Sequence, residues 1–344
     1  MFVRDLGEFD LIDRLESSIR FRNDAQVDLL RNLGIRVEVG IGDDAAAWSY
    51  PESKVVGTTD AMVEDIHFIV GRMPWRELGW KALASNLSDV GAMGCSPAFA
   101  LVTLGLRGDL PVDGLIEMYG GMMDVLELTG GALIGGDVVR SDTFFVSVSL
   151  EGFAEAGANV LRRNCAQASD EIAVTGHLGS SAGGLRLILE DGLRDRIDPA
   201  TSRHLATAHN RPTPRVAEGL ALRKLGVRCA MDISDGLTAD LTKVCVASGL
   251  GARIETGRIP ADLHLKSAFP LDWLQLALGG GEDYELVFCA PSATMDRVTN
   301  ELGSIVSVIG RMVGDNPRVT VVSDDGTEVI VGSAGWDHFS SQNG

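Results

Sequence analysis

The sequence has few cysteines, little aromatic content and no long apolar run, and these shortages exclude several classes of protein. The 5 cysteines are far apart and odd in number, without CxxC or Cys/His metal-ligand spacing. That pattern argues against a zinc site or a disulfide scaffold and favours a reduced chain. No stretch approaches the length of a membrane span, and the start, MFVRDLGEFDLIDRL, lacks the apolar core of a signal peptide. We therefore expect a cytoplasmic protein without a membrane partner.

Positive charge is also scarce. Lys and Arg number 30 against 48 Asp and Glu, which gives a formal net charge of −18. Such a surface repels nucleic acid, so we expect none as a partner. A phosphate-bearing substrate can approach the carboxylates of an acidic site only when bound cations offset their charge.

The hydrophobic pattern predicts a two-domain protein of mixed α/β (α+β) class, because 344 residues exceed one average domain. In the first series we predict a helix at 8–20, neighbouring strands at 37–50 and 54–70, helices at 73–94 and 112–131, and strands at 96–106, 132–139 and 143–154. In the second we predict strands at 170–176, 229–235, 285–291, 306–313 and 319–331 and helices at 181–192, 212–226, 236–249 and 292–303, with a polar stretch before 212. We place the domains at 1–155 and 156–344.

Several segments place aspartate beside glycine or other small residues at the end of an apolar element. They are GIGDDAA, GTTDA, NLSDVGAMG, GGDVV and MDISDG, with Asp43, Asp44, Asp60, Asp89, Asp137, Asp232 and Asp235. A single aspartate in such a place usually bonds local backbone in a turn or a helix cap. Together, however, these residues offer the oxygen ligands that Mg²⁺ prefers, with one or two carboxylates per ion completed by water and substrate phosphate. The set indicates phosphoryl chemistry assisted by several magnesium ions.

The standard nucleotide motifs do not account for this set. No GxxxxGK[ST] motif occurs, which excludes a P-loop. GIGDDA matches the GxGxxA pattern of dinucleotide-binding folds, but Pro51 and a further predicted strand follow it and leave no room for the required helix. We interpret that match as accidental.

A longer series of motifs resembles a known family. From about residue 7 to 339 the chain contains, in order, GEFDLI, GIGDDAA, TTDAMVEDIHF, GWKALASNLSDVGAMG, LIGGDVVRSD, RPTPRVAEGLAL, DISDGLTADL, GGGEDYELVF and GWDHF. GIGDD and NLSDVGAMG are shared across the aminoimidazole ribonucleotide synthetase-like superfamily. GEDYEL, the HF after TTD, and WDHF resemble the thiamine-monophosphate kinase family within it.

This resemblance implies a fold and an activity. The implied fold is the two-domain aminoimidazole ribonucleotide synthetase-like fold. Residues 1–155 would bind ATP and magnesium and pair their sheet with that of a second subunit in a homodimer, and 156–344 would complete the site. The implied activity is ATP-dependent phosphorylation of thiamine monophosphate to thiamine diphosphate by direct in-line transfer, in thiamine diphosphate biosynthesis.

The resemblance also implies roles for individual residues. Positions that match the family's magnesium ligands are Asp44, Thr58, Thr59, Asp60, Asp89, Asp137, Asp232 and Asp235. Positions that match its ATP contacts are Tyr119, Gly136, Asp137, Arg163 and Ser234, and those on the thiamine-phosphate side are His67, Glu282 and Trp336. An arginine can grip phosphate bidentately, but Arg162 adjoins Arg163 and leaves the choice between them open. Glu282 suits a cationic or amine-bearing ring, and Trp336 suits stacking on a positively charged ring.

Two positions differ from the family pattern, and two other functions are compatible with the sequence. Asp65 stands where the family commonly has glycine, and Ser180 where it has aspartate. A rival enzyme is another superfamily member, of the aminoimidazole ribonucleotide or selenophosphate synthetase type. The latter needs a reactive residue in an N-terminal glycine-rich segment, whereas the first cysteine here is Cys95. A non-catalytic nucleotide sensor is the second rival, although it would be expected to lose some of these ligands.

Overall fold

The chain forms two compact units. We describe residues 1–6, 8–41, 46–314 and 316–330 from a computed structural model. One unit comprises Met1–Gly91 and Cys95–Ala158, and the other comprises Ala92–Gly94 and Asn159–Gly344. Within the described ranges, no helix is long and apolar enough to cross a membrane.

The first unit combines three long helices with a four-stranded sheet. Its elements are a 3₁₀ turn at Val3–Asp5, α1 (Glu8–Asn32), β1 (Arg36–Val39), β2 (Ala47–Ser49), β3 (Ser53–Val63), α2 (Trp75–Ala92), β4 (Ser96–Leu106), α3 (Val112–Thr129), β5 (Ala132–Arg140) and β6 (Phe145–Glu155). The strand order is β3-β6-β4-β5, with β4 and β5 parallel and the other pairs antiparallel. Strands β3 and β5 are therefore the two edges of this sheet.

The helices of this unit follow their predicted apolar stripes. Leu83, Leu87 and Val90 of α2 are fully buried, as are the corresponding residues of α3, Leu115, Met118, Met122 and Val125. Helix α1 runs 12 residues beyond its predicted end at residue 20. The prediction stops short because of Asn23, which is polar but buried. Its side-chain amide exchanges hydrogen bonds of 2.7 and 2.8 Å with the backbone of Leu133. A polar residue that is buried in this way hides the helical period from a hydrophobicity pattern.

The prediction that 37–50 and 54–70 form neighbouring strands is wrong. Strands β1 and β2 lie within the first segment and pair with each other in a separate two-stranded sheet. Strand β3 instead pairs along its whole length with β6, from Ser53 opposite Glu155 to Val63 opposite Phe145. Strand pairing between distant segments depends on tertiary packing, which local sequence composition does not report.

The second unit is a six-stranded sheet between helices. Its elements are β7 (Glu171–Thr175), α4 (Ser180–Leu189), α5 (Pro199–Asn210), α6 (Val216–Lys224), β8 (Cys229–Ile233), α7 (Leu237–Ser248), β9 (Gly251–Glu255), α8 (Leu263–Ala268), α9 (Trp273–Gly279), β10 (Glu285–Ala290), α10 (Ser292–Leu302), β11 (Val306–Val313) and β12 (Val319–Val322), with 3₁₀ turns at Arg194–Arg196, Thr256–Arg258 and Gly303–Ile305. The order is β12-β9-β11-β7-β10-β8, and only the β12–β9 pair is parallel among these described strands.

This sheet has a hydrophobic core on each face. Alternate residues of β7 belong to different clusters, Ile172 and Val174 to one and Ala173 to the other. Helix α5 covers part of the first cluster. It lies in the segment before residue 212 that was predicted to be a polar stretch without a helix. It begins at Pro199 because the Asp198 side chain accepts hydrogen bonds from the N–H groups of Ala200 and Thr201. The mixed α/β class predicted for the chain is confirmed, whereas pairing across a dimer stays a prediction.

Candidate functional site

In the first unit, strand β3 and helix α2 bring two aspartates of the predicted magnesium set together. The Thr58 hydroxyl donates to Asp89 Oδ2 at 2.5 Å, and the Asp60 backbone N–H donates to Asn86 Oδ1 at 3.1 Å. Asn86 and Asp89 share a face of α2, as their spacing of three predicts. Thr59 alternates to the opposite face of the strand, where its hydroxyl donates to the carbonyl of Val148 at 3.0 Å. The segment thus presents Asp60 and Asp89 to each other and turns Thr59 away.

The two carboxylates repel each other. Burial is the main cause that raises the pKa of Asp60, to about 6, the negative charge of Asp89 raises it further, and a hydrogen bond from Ser85 opposes both. A cation between the two groups would relieve this repulsion, because it favours the ionised form of each. In the part of the chain that the structure describes, no three His, Cys, Asp or Glu side chains by themselves form a metal site. Asp44, the other ligand predicted near the start of the chain, lies outside that part.

Gly136 and Asp137 lie on β5, at the far edge of the same sheet. The register places Asp60 opposite Val148, Val148 opposite Val102, and Val102 opposite Gly136. At about 4.8 Å per strand, the backbones of Asp60 and Gly136 are about 14 Å apart. The structure therefore does not bring Asp137 to the Asp60–Asp89 pair. A Cβ atom at Gly136 would lie 1.9 Å from the carbonyl oxygen of Val102, so only glycine allows β5 to approach β4 this closely.

Two further predicted residues of this unit occupy ordinary structural positions. Tyr119 is half-buried on α3, where burial raises the pKa of its hydroxyl. His67 follows β3 in a turn, and its Nδ1 accepts a hydrogen bond from the Val63 N–H at 3.1 Å. The same turn explains one departure from the family pattern: Asp65 is exposed and has φ 64°, a left-handed conformation that glycine adopts without strain and aspartate tolerates.

In the second unit, the loop between β8 and α7 carries Ser234 and Asp235 and is held by an aspartate that the motif analysis does not single out. Oδ2 of Asp240 accepts three consecutive backbone N–H groups, from Ser234 at 3.0 Å, Asp235 at 2.9 Å and Gly236 at 3.2 Å. Lys243 Nζ lies 2.8 Å from Asp240 Oδ1 and 2.6 Å from Asp235 Oδ2. Burial raises the pKa of Asp240, although the lysine opposes the shift. The loop is therefore fixed by internal hydrogen bonds and by an internal cation.

A second loop, residues 279–284, lies directly against this one. The Glu282 N–H donates to the Ser234 carbonyl at 2.7 Å, and the Tyr284 N–H donates to the Ile233 carbonyl at 2.9 Å. Gly236 has φ 114°, and a Cβ atom there would lie 2.9 Å from the carbonyl of Gly279. The predicted residues Ser234, Asp235 and Glu282 are thus brought together, with Asp232 buried nearby at the end of β8.

Helix α4 begins beside the second loop. The carboxylate of Asp283 accepts hydrogen bonds from the N–H groups of Gly179 at 2.7 Å and Ser181 at 3.2 Å, while burial raises its pKa to about 8. Ser180, the second departure from the family pattern, is buried and donates its hydroxyl to Asp262 at 2.7 Å. A neutral hydroxyl at this position thus hydrogen-bonds a carboxylate, where a second aspartate would repel it.

Two further predicted contact residues are Arg163 and Trp336. The Arg163 side chain is exposed, and its backbone carbonyl accepts the Ser248 hydroxyl at 3.1 Å. Arg162 is also exposed, so burial does not decide between the two arginines. Trp336 lies outside the described residues.

Comparisons with known proteins identify the family. The model of the AIR synthase related protein N-terminal domain matches residues 42–154, and that of the C-terminal domain matches residues 167–322. The thiamine-monophosphate kinase of Escherichia coli strain K12 is 36% identical over 97% of this chain and 99% of that protein. The thiamine-monophosphate kinase of Bacillus subtilis is 34% identical over 88% of this chain and 94% of that protein.

Solved structures agree. The crystal structure of the thiamine-monophosphate kinase from Stenotrophomonas maltophilia has a TM-score of 0.79 at 34% identity and covers 91% of this chain and 97% of that chain. AaThiL complexed with AMPPCP and TMP has a TM-score of 0.75 at 31% identity and covers 98% of this chain and 99% of that chain. Hydrogenase maturation protein HypE in complex with ATP, at 18% identity and a TM-score of 0.71, shares the fold. These matches confirm the predicted two-domain fold, and the chain belongs to the thiamine-monophosphate kinase family of AIR synthase related proteins.

Proposed function

We infer that this chain catalyses the ATP-dependent phosphorylation of thiamine monophosphate to thiamine diphosphate, in thiamine diphosphate biosynthesis. The near full-length likeness to thiamine-monophosphate kinases supports this substrate, as does the complex of a relative with AMPPCP, an ATP analogue, and TMP. Within this structure, the Asp60–Asp89 pair supports phosphoryl chemistry. A cation would stabilise these two like-charged carboxylates.

We propose that magnesium ions bind at the aspartate segments of each unit. The candidate ligands are Thr58, Asp60 and Asp89 at the pair, Asp44 and Asp137 in other segments of the first unit, and Asp232 and Asp235 in the second. Thr59, whose hydroxyl lies on the opposite face of β3, is not a ligand of the Asp60–Asp89 site. All are oxygen donors, as a hard cation requires, and a bound cation would offset the like charges of Asp60 and Asp89. Bound magnesium would neutralise charge on the transferred phosphoryl group.

The residues of this chain have to position two phosphate-bearing molecules. We assign Tyr119, Gly136, Asp137, Arg163 and Ser234 to ATP, and His67, Glu282 and Trp336 to thiamine monophosphate. In a direct in-line step, a phosphate oxygen of the acceptor bonds to the γ-phosphorus as the bond to the β-phosphate oxygen breaks, and ADP leaves with that electron pair. The acceptor oxygen is already ionised near neutral pH. No general base is therefore needed, and positioning supplies much of the rate.

We further propose a cytoplasmic homodimer in which the open face of the first unit's sheet is covered by a second copy. That face contains a cavity of about 450 Å³ whose lining includes Trp48, Thr59, Leu101 and Ser149. Leu101 is 36% exposed and Val55, at the β3 edge, is 46% exposed. Covering these side chains would remove apolar surface from water. Sedimentation at micromolar concentration tests the proposal, and a stable monomer contradicts it.

The activity is tested by ADP release with purified protein, ATP and thiamine monophosphate, with and without Mg²⁺. We expect ADP formation that requires both thiamine monophosphate and the metal, with thiamine diphosphate as product. ATP consumption only with an acceptor of one of the two rival synthetases would instead identify a synthetase, and ATP binding without turnover would identify a sensor. Against a selenophosphate synthetase, Cys95 is fully buried and does not lie in a mobile N-terminal segment.

A further inference from the structure

Glu282 is held in a conformation that its backbone disfavours. Glu282 has φ 64° and Tyr284 has φ 52°, both in the left-handed region that side chains other than glycine rarely adopt. Such a conformation costs free energy and persists only where the surroundings impose it. Here the surroundings are the two backbone hydrogen bonds to Ser234 and Ile233. The fold thus fixes where the Glu282 side chain begins.

The end of that side chain contacts a buried histidine. His209, in the last turn of α5, has a side chain only 2% exposed, and its Nδ1 lies 3.5 Å from Glu282 Oε2. The same Nδ1 lies 3.1 Å from the hydroxyl oxygen of Ser181 on α4. A carboxylate can only accept, so the contact with Glu282 is attractive when Nδ1 carries a proton, and the Ser181 oxygen is then a second acceptor for it. Two helices and a loop therefore meet at this ring.

The neighbouring acidic residue, Asp283, has a different task from Glu282. Asp283 uses its carboxylate on the N–H groups at the start of α4, including that of Ser181. Ser181 consequently bonds Asp283 through its backbone and His209 through its hydroxyl. The Glu282 side chain remains 28% exposed, so one part of it touches His209 while another part faces solvent. A fixed carboxylate at a solvent boundary suits a cationic ligand.

We propose that His209 is a positioning residue that orients the Glu282 carboxylate toward the cationic, thiazolium-bearing half of the acceptor substrate. This inference rests on the proposed function and adds a residue to it. His209 acts through Glu282 and touches neither phosphate nor nucleotide. It therefore controls affinity for the acceptor, and leaves affinity for ATP unchanged.

The test compares three variants of the full-length protein. His209→Leu removes the ring N–H, His209→Asn keeps an N–H near the Nδ1 position, and His204→Asn is the matched control on the same helix, where the ring is 43% exposed and bonds Asp262. We measure KM for each substrate, and calorimetric binding of thiamine monophosphate and AMPPCP. We expect His209→Leu to weaken acceptor binding by about 10-fold or more, with KM for ATP within about 2-fold of wild type. His209→Asn should recover most of the affinity, and His204→Asn should match wild type.

A double-mutant cycle separates positioning from a general structural role. In the Glu282→Gln background, His209→Leu should change acceptor affinity by less than about 2-fold, because its effect passes through the carboxylate. If wild type does not phosphorylate thiamine monophosphate, the proposed function fails and the inference fails with it. If wild type does so and His209→Leu keeps its acceptor affinity, or loses affinity for both substrates equally, the inference alone is overturned. Should His209→Leu not fold, the same comparison with His209→Ala, which also removes the ring N–H, and Ser181→Ala decides, and unchanged acceptor affinity in both overturns it.

Discussion

The aspartates of the two units are stabilised in opposite ways. In the first unit, Asp60 is partly buried and faces the like charge of Asp89, so its pKa rises to about 6. In the second, Asp240 is fully buried yet receives three backbone N–H groups and the ammonium of Lys243, which also reaches Asp235. The first arrangement places two like charges close together, whereas the second is organised by the protein's own donors and by an internal cation.

This contrast separates two kinds of aspartate that the sequence alone presents as equal. A carboxylate held close to a like charge lowers the stability of the fold and is suited to binding a cation. A carboxylate that accepts several hydrogen bonds raises the stability of the fold. Mutation of the pair in the first unit should therefore mainly lower activity, and mutation of Asp240 in the second unit should mainly lower stability.

The largest expected effect is on activity in the first unit. Asp60→Asn removes one charge from the repelling pair, so we expect kcat to fall by about 100-fold or more at saturating Mg²⁺. Steady-state ADP release measures this, with the exposed Asp65→Asn as matched control on the turn after β3. A variant with wild-type kcat at limiting Mg²⁺ would refute the assignment of Asp60 as a magnesium ligand.

Removal of the Asp240 carboxylate should act mainly on folding. Asp240→Ala leaves three backbone N–H groups of the loop without their acceptor, and we expect a loss of about 3 kcal/mol in the free energy of unfolding. Asp240→Asn keeps an oxygen acceptor and should lose only about 1 kcal/mol. Urea unfolding followed by circular dichroism measures both. Equal stability of the alanine variant and wild type would show that these bonds do not organise the loop.

The pH dependence of stability without metal should reveal the cost of burying the Asp60 charge beside that of Asp89. Its pKa is raised from 3.8 to about 6 by folding, so between these values the folded protein binds more protons than the unfolded chain. The free energy of unfolding should therefore fall as pH rises through this window, by about 1–3 kcal/mol from this group, and stay lowered above it.

Calorimetric melting in EDTA tests this pH effect against Asp60→Asn, which lacks the titrating group. The variant should match wild type near pH 4 and melt at a higher temperature than wild type above pH 6. A variant that is less stable than wild type at pH 7 would mean that the Asp60 charge is compensated inside the folded protein.

The smallest expected effect concerns Lys243. Because its ammonium already neutralises Asp235, Lys243→Met should strengthen Mg²⁺ binding by about 2- to 5-fold. Titration calorimetry with Mg²⁺ at low salt measures the affinity. Weaker binding in the variant would show that the lysine supports the cation site instead of competing with it.

Local patterns in the sequence predict much of this structure. The buried stripes of α2 and α3 follow from helical periodicity, and the predicted bounds of the strand at 96–106 match β4 at Ser96–Leu106. The pairing of β3 with β6 does not, because it joins segments about 90 residues apart. Strand β9 has no counterpart among the predicted elements, since its GARIE sequence is short and mixes glycine and charge with apolar residues.

Some residues of the candidate site can likewise be predicted from local sequence, and others cannot. The Asp-Gly segments mark Asp60, Asp89 and Asp235, because small residues beside aspartate leave a visible pattern. Asp240 and His209 act through contacts that bridge a loop or two helices, so nothing in their own neighbourhoods distinguishes them. The only local signal for Asp240 is an acidic residue in the first turn of α7, which is favourable at any helix start.

The hydrogen bond from the Glu282 N–H to the Ser234 carbonyl has an evolutionary consequence. Glu282 is assigned to the acceptor and Ser234 to the nucleotide, and a backbone hydrogen bond of 2.7 Å joins their two loops. A substitution that shifts one loop to accept a new substrate must also shift the other. Acceptor specificity and nucleotide handling should therefore be epistatic in this protein, and selection for a new acceptor should yield compensating changes in the loop between β8 and α7.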